Sequence, residues 1–173
     1  MKAELIRPLL LATTKVLDRL TGGPCFVDRP MVAKTLSAST LTRDVIIRLS
    51  GSVDGAMVLR FPDPTALAAV RDFHGTDSAG TDVTEGMAEI GRTIERVVRR
   101  QASAEGIWPA GPVIRSTPAN QPLPLDDTPW LTTCIRSPAG NVTFAVSVKR
   151  IARQPSAAIP AVELGNKPVR PTQ

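Results

Sequence analysis

Residues 82–101 read DVTEGMAEIGRTIERVVRRQ. Val83, Met87, Ile90, Ile94, Val97 and Val98 fall within one arc when each residue advances about 100°. The spacing predicts an amphipathic helix with that arc buried, each large side chain contributing about 1.5–3 kcal/mol. Asp82 is placed to cap it, with Glu85 three residues on as in a capping box. The opposite side is charged and changes sign along its length. Glu85 and Glu89 come first, then Arg92, Arg96, Arg99 and Arg100. Such a face is ordinarily solvated and laced by ion pairs a turn apart, Glu89 with Arg92 for example.

Outward from this helix the chain alternates helical and extended patterns. On its N-terminal side Leu5–Leu20 carries an apolar stripe, with Pro8 expected in the first turn and Gly22-Gly23 ending the helix. Residues 25–38 are extended but interrupted by Pro30. Val45, Ile47 and Leu49 alternate in one strand, and Met57, Leu59 and Phe61 in the next. Residues 51–55 are read as the turn joining them. Asp63-Pro64 opens a second helix reaching about Phe73, and His74 falls in the loop after it or at the helix end.

Beyond the central helix, residues 106–129 are rich in proline, with a short strand expected at Val113-Ile114. A hairpin follows, Trp130–Arg136 and Asn141–Lys149 around Gly140, with Val142, Phe144, Val146 and Val148 facing inward. Trp108 and Trp130 are expected as packing residues. Residues 1–153 are read as one domain and 154–173 as a proline-rich, disordered tail. No internal repeat stands out. The fold class is α+β, about three helices laid on one face of a largely antiparallel sheet of about five to six strands.

Composition narrows the function. One histidine and two distant cysteines, Cys25 and Cys134, leave little for a metal centre or a histidine-dependent triad. The cysteines read as reduced thiols of a cytoplasmic protein. No apolar run has the length of a membrane span. The net charge of +5 allows an acidic partner, but 3% aromatic residues and no tyrosine weigh against nucleic acid.

Leu49–Pro62, LSGSVDGAMVLRFP, followed by a helix and then Glu89-Ile90-Gly91-Arg92, resembles the CheC/CheX/FliY family of chemotaxis phosphatases. WLTTCIRSPAGNVTFAVSVK at residues 130–149 resembles the family's closing hairpin, with Gly140 at its turn. One copy of the signature helix is similar to the CheX arrangement. The resemblance implies that the partner is a CheY-like response-regulator receiver carrying a phosphoaspartate and its own magnesium, with no cofactor held by this chain. In such proteins an acidic residue docks on the receiver and an asparagine amide aligns the attacking water. In-line phosphoryl transfer depends on that alignment, and a misplacement of about 1 Å costs ~100-fold.

Glu89 stands at the acidic position, Arg92 where the family has asparagine, and Arg96 where it tends to have glycine. An amide offers an acceptor to water; a guanidinium offers only donors. The implied site is thus Glu89 and Arg92, with Glu85 and Arg96 joining them on a partner-binding face, and catalysis is expected to be impaired. An active aspartyl-phosphate phosphatase is the alternative, its water held by another amide such as Asn120 or Gln121. A basic nucleic-acid binder is a second alternative. A homodimer with strand exchange is compatible with such a fold.

Overall fold

Strand register sets the architecture. In the computed structural model, which describes residues 3–36, 38–75, 82–122 and 129–151, β3 (Thr42–Gly51) and β4 (Val53–Pro62) form an antiparallel hairpin. The five-residue turn expected there is shorter, because only Ser52 separates the strands. Both strands gain partners through the bend. Gly51 pairs with Ile107 of β5 (Ile107–Pro109), and Val53 with Arg150 of β8 (Gly140–Arg150). The closing hairpin joins β8 to β7 (Trp130–Ser137) as its alternation predicts.

The edges of the sheet are broken strands. β1 (Phe26–Val27) and β2 (Met31–Ala33) lie one after the other along β7, with Pro30 in the gap. β5 and β6 (Val113–Thr117) lie one after the other along β3, with Gly111-Pro112 in theirs. Proline has no N–H for a ladder, so each edge stops and restarts. The order across the sheet is β1-β7-β8-β4-β3-β5, with β2 also on β7 and β6 also on β3. β5 is not apparent from the sequence because its three residues sit in the proline-rich stretch.

This order contains a repeat that the sequence does not display. A helix, two short strands and two long strands occur first as α1 (Ala3–Leu20) through β4, then as α3 (Val83–Ala102) through β8. α2 (Asp63–His74) connects the two units. Each unit lends its broken strand to the other: β1 and β2 pair with β7, while β5 and β6 pair with β3.

Among the described residues the three α-helices cover one face. Val45, Ile47, Leu49, Met57, Leu59, Phe61, Phe144 and Val146 are buried there in one cluster with Leu9, Val70, Met87 and Ile94. α1 begins at Ala3, so Pro8 lies in its second turn and not its first. α2 is preceded by Pro62 without a side-chain cap; Asp63 instead pairs with Arg43 at 2.8 Å. Asp82 caps α3 by accepting from the Thr84 N–H at 2.9 Å, and no bond from Glu85 completes a capping box. Among the described residues no helix is long and apolar enough to cross a membrane.

The far face of the sheet is also partly covered. Leu36, Val58, Trp130 and Ala145 form a second, smaller cluster. Beside it Asp44 and Arg60 make a buried bidentate pair at 2.9 and 3.0 Å, and the Thr117 hydroxyl donates to Asp44 at 2.6 Å. Trp130 packs as expected, but Trp108 on edge strand β5 is half exposed. The tail expected at 154–173 lies outside the described residues.

Candidate functional site

Two glycines fix the pose of α3. A Cβ on Gly86 would come within 2.5 Å of Val70 in α2, and one on Gly91 within 2.8 Å of Pro112 and 3.0 Å of Val45. The helix therefore lies flush against α2 and the β3/β6 side of the sheet. With Gly91 turned inward, about 100° per residue places Glu85, Glu89, Arg92 and Arg96 within one narrow arc on the far side. The four residues expected to bind a partner thus share one outward stripe. Arg92 and Arg96 are exposed, and Glu89 is half-buried. The seating role of Gly91 has one signal in the sequence, a glycine inside an apolar helical pattern.

The expected Glu89–Arg92 pair does not form. The Glu89 carboxylate lies 3.4 Å from His74 Nε2 at the end of α2, a contact that becomes an ion pair when the imidazole is protonated. His74 is a helix-end residue, and its role beside Glu89 is not visible from spacing because they lie on different helices. Phe73 stacks edge-on against the same imidazole, centroids 4.9 Å apart. Arg99 donates to Glu95 at 2.6 and 2.9 Å and to the Pro109 carbonyl at 3.0 Å, tying α3 to β5. Arg96 reaches back along its own helix, to the Arg92 carbonyl and the Thr93 hydroxyl at 3.4 Å each. Among the described residues, the Arg92 guanidinium has no ion pair or hydrogen bond.

The amides considered as substitutes lie elsewhere. The Asn120 N–H donates to the Ala38 carbonyl, in the segment that carries Leu36 onto the far face. Asn120 and Gln121 are exposed there, and neither bonds to α3. Among the described residues no group of three histidine, cysteine, aspartate or glutamate side chains is arranged to hold a metal ion. Both thiols are raised above their ordinary range. Burial, then the hydrogen bond and charge of Asp18, push Cys25 up to about 11; burial and Asp28 raise Cys134. Neither thiol is a ready nucleophile.

The fold of the described residues is that of solved CheX, CheC-like and FliY chemotaxis proteins. Within that group the chain spans whole CheX structures. It matches CheX of Desulfovibrio desulfuricans with a TM-score of 0.72 at 18% identity, over 84% of this chain and 99% of that one. CheX of Vibrio vulnificus matches with a TM-score of 0.71 at 20% identity, over 85% and 100%. A Borrelia burgdorferi structure of CheX in complex with CheY, BeF3 and magnesium matches with a TM-score of 0.63 at 18% identity, over 86% and 100%. No protein-family model and no curated protein matches the chain.

Proposed function

We propose that this chain is a CheX-like signalling domain that binds phosphorylated response-regulator receivers and hydrolyses their phosphoaspartate poorly or not at all. The observation that carries the reading is the Arg92 guanidinium, exposed one turn after Glu89 on the outward stripe of α3 and without an ion pair among the described residues. The fold supports a receiver as partner, since a CheX of this fold is found in complex with CheY. The receiver brings the phosphoryl group and magnesium; this chain brings Glu89 for docking and Arg92 beside it.

An asparagine at that place can accept a hydrogen from water and turn its lone pair toward phosphorus. Arg92 has five donors and no acceptor, so it cannot hold water in that sense. Its fork instead matches phosphoryl oxygens, which favours holding a phosphorylated receiver over hydrolysing it. Docking through Glu89 exchanges its His74 contact for a receiver cation.

The test is receiver dephosphorylation measured at several domain concentrations. The natural sequence is expected to give little acceleration. Arg92→Asn combined with Arg96→Gly is expected to raise the rate at least about tenfold, because it restores an acceptor and clears a long side chain. Glu89→Ala is expected to weaken receiver binding in either background. Strong turnover by the natural sequence that survives Glu89→Ala would refute the reading and place catalysis on another face.

A further inference from the structure

A groove of about 270 Å³ runs between α1 and α3, lined by Lys15, Val16 and Arg19 on one side and Val97, Arg100 and Gln101 on the other. It lies beside the outward stripe and contains none of its residues. Among the described residues no carboxylate lines it. The nearest acid along α1, Asp18, accepts the Cys25 N–H at 2.6 Å, and Glu95 on α3 is held by Arg99. Among the described residues Lys15, Arg19 and Arg100 make no ion pair.

The ordinary account of such cations is the negative end of a helix, and two helices end near this groove. Each end is equivalent to roughly half a negative charge, so together they balance about one of the three cations. Lys15 also stands more than a turn before the end of α1, where that field has decayed. A surplus of about two positive charges is left facing one concavity.

We propose that this groove binds a small phosphate-bearing anion of about the size of pyrophosphate. Two guanidinium forks with one ammonium suit a compact group carrying several negative oxygens. Gln101 can donate to a further oxygen, and the Val16–Val97 floor lowers the local dielectric, which strengthens each contact. The volume is below the range of roughly 300–1,000 Å³ usual for larger ligands. Among the described residues no aromatic side chain lines the groove, so a nucleobase finds no stacking platform there.

The experiment is calorimetric titration of the full chain with pyrophosphate at low ionic strength. Saturable binding to one site is expected, weakened at least about tenfold by Arg19→Gln with Arg100→Gln. Arg71→Gln with Arg115→Gln removes the same charge from exposed positions elsewhere and is expected to leave binding within about twofold. All four side chains are exposed, and melting curves of both variants check that the fold is kept. Absence of saturable binding, or equal weakening by the two variants, overturns the site. Citrate binding as tightly as pyrophosphate overturns the phosphate assignment. Receiver binding is not part of this readout, so failure here and failure of the proposed function are separate results.

Discussion

The units built on α1 and α3 trace the same path and present different outer surfaces. α1 shows Glu4, Arg7, Leu11, Lys15 and Asp18 to solvent, with Leu11 about half exposed at the centre of the row. α3 shows a row of charges alone, acidic and then basic. Their seating differs too. α1 packs on α2, α3 and β7, whereas α3 touches α1, α2, β3, β5 and β6 and is drawn in by two glycines. A rigidly held helix can aim a few side chains with accuracy, and a loosely held one cannot. The two helices serve one core, and the charged stripe falls on the one that the glycines seat more closely.

The largest expected effect lies on the far face, where the units differ most. Asp44→Ala leaves Arg60 buried without its partner and is expected to cost about 3–5 kcal/mol in urea denaturation. The corresponding hairpin of the second unit has Thr132 facing Ala145, and Thr132→Ala is expected to cost about 1 kcal/mol. Equal losses would remove this distinction between the units.

On the helix face the two units should instead behave alike. Leu9→Ala in α1 and Ile94→Ala in α3 each empty a fully buried site, and each is expected to cost about 2–5 kcal/mol. A loss below about 0.5 kcal/mol at either would show that its helix is not part of the shared core. A smaller effect tests the seating of α3. Gly86→Ala is expected to destabilise by about 1–3 kcal/mol through overpacking on Val70, and Val70→Ala in the same chain should recover part of the loss. No recovery would mean that the glycine is not there for close approach.

The smallest effect concerns the thiols. Cys25 keeps its proton to about pH 11 in the folded chain, while an unfolded thiol releases it near 9. Below the unfolded value the difference has no effect on stability; above it the unfolded chain gains by releasing the proton, so the folded state loses stability progressively up to about pH 11. A slight fall in melting temperature above pH 9, lost in Cys25→Ala, is the expected outcome.

Most of the fold was legible because it rests on periodicity. The alternation of Val45, Ile47 and Leu49, and of Val142, Phe144, Val146 and Val148, marks the inward face directly, and the helical arc of Met87, Ile90 and Ile94 does the same. What was hidden depends on partners distant in sequence. Arg60 reads as an outward strand residue, and only Asp44, brought opposite by the register, makes it a buried one. The three residues of β5 carry no alternation to detect. The internal repeat was invisible because its units share order and pairing but not residues. Of the candidate site, the stripe of Glu85, Glu89, Arg92 and Arg96 follows from helical geometry. The His74 contact needed two helices to be packed before it existed.

The exchange of broken edges between the units has a consequence for synthesis. Thr133 donates its hydroxyl to the Asp28 carbonyl across 105 residues of chain, and the rest of the β1/β2 edge is comparably remote from β7. The N-terminal hairpin leaves the ribosome long before β5 and β6 arrive to finish its side, and β1 and β2 wait longer still for β7. Closing loops of that length is slow, so early contacts must be local ones within β3–β4 and within the helices. A nascent chain stopped before the second hairpin holds two unpaired edges and an uncovered apolar face, the condition in which chains aggregate. The proline gaps that interrupt both edges in the finished sheet also make those waiting strands poor templates for a neighbouring nascent chain.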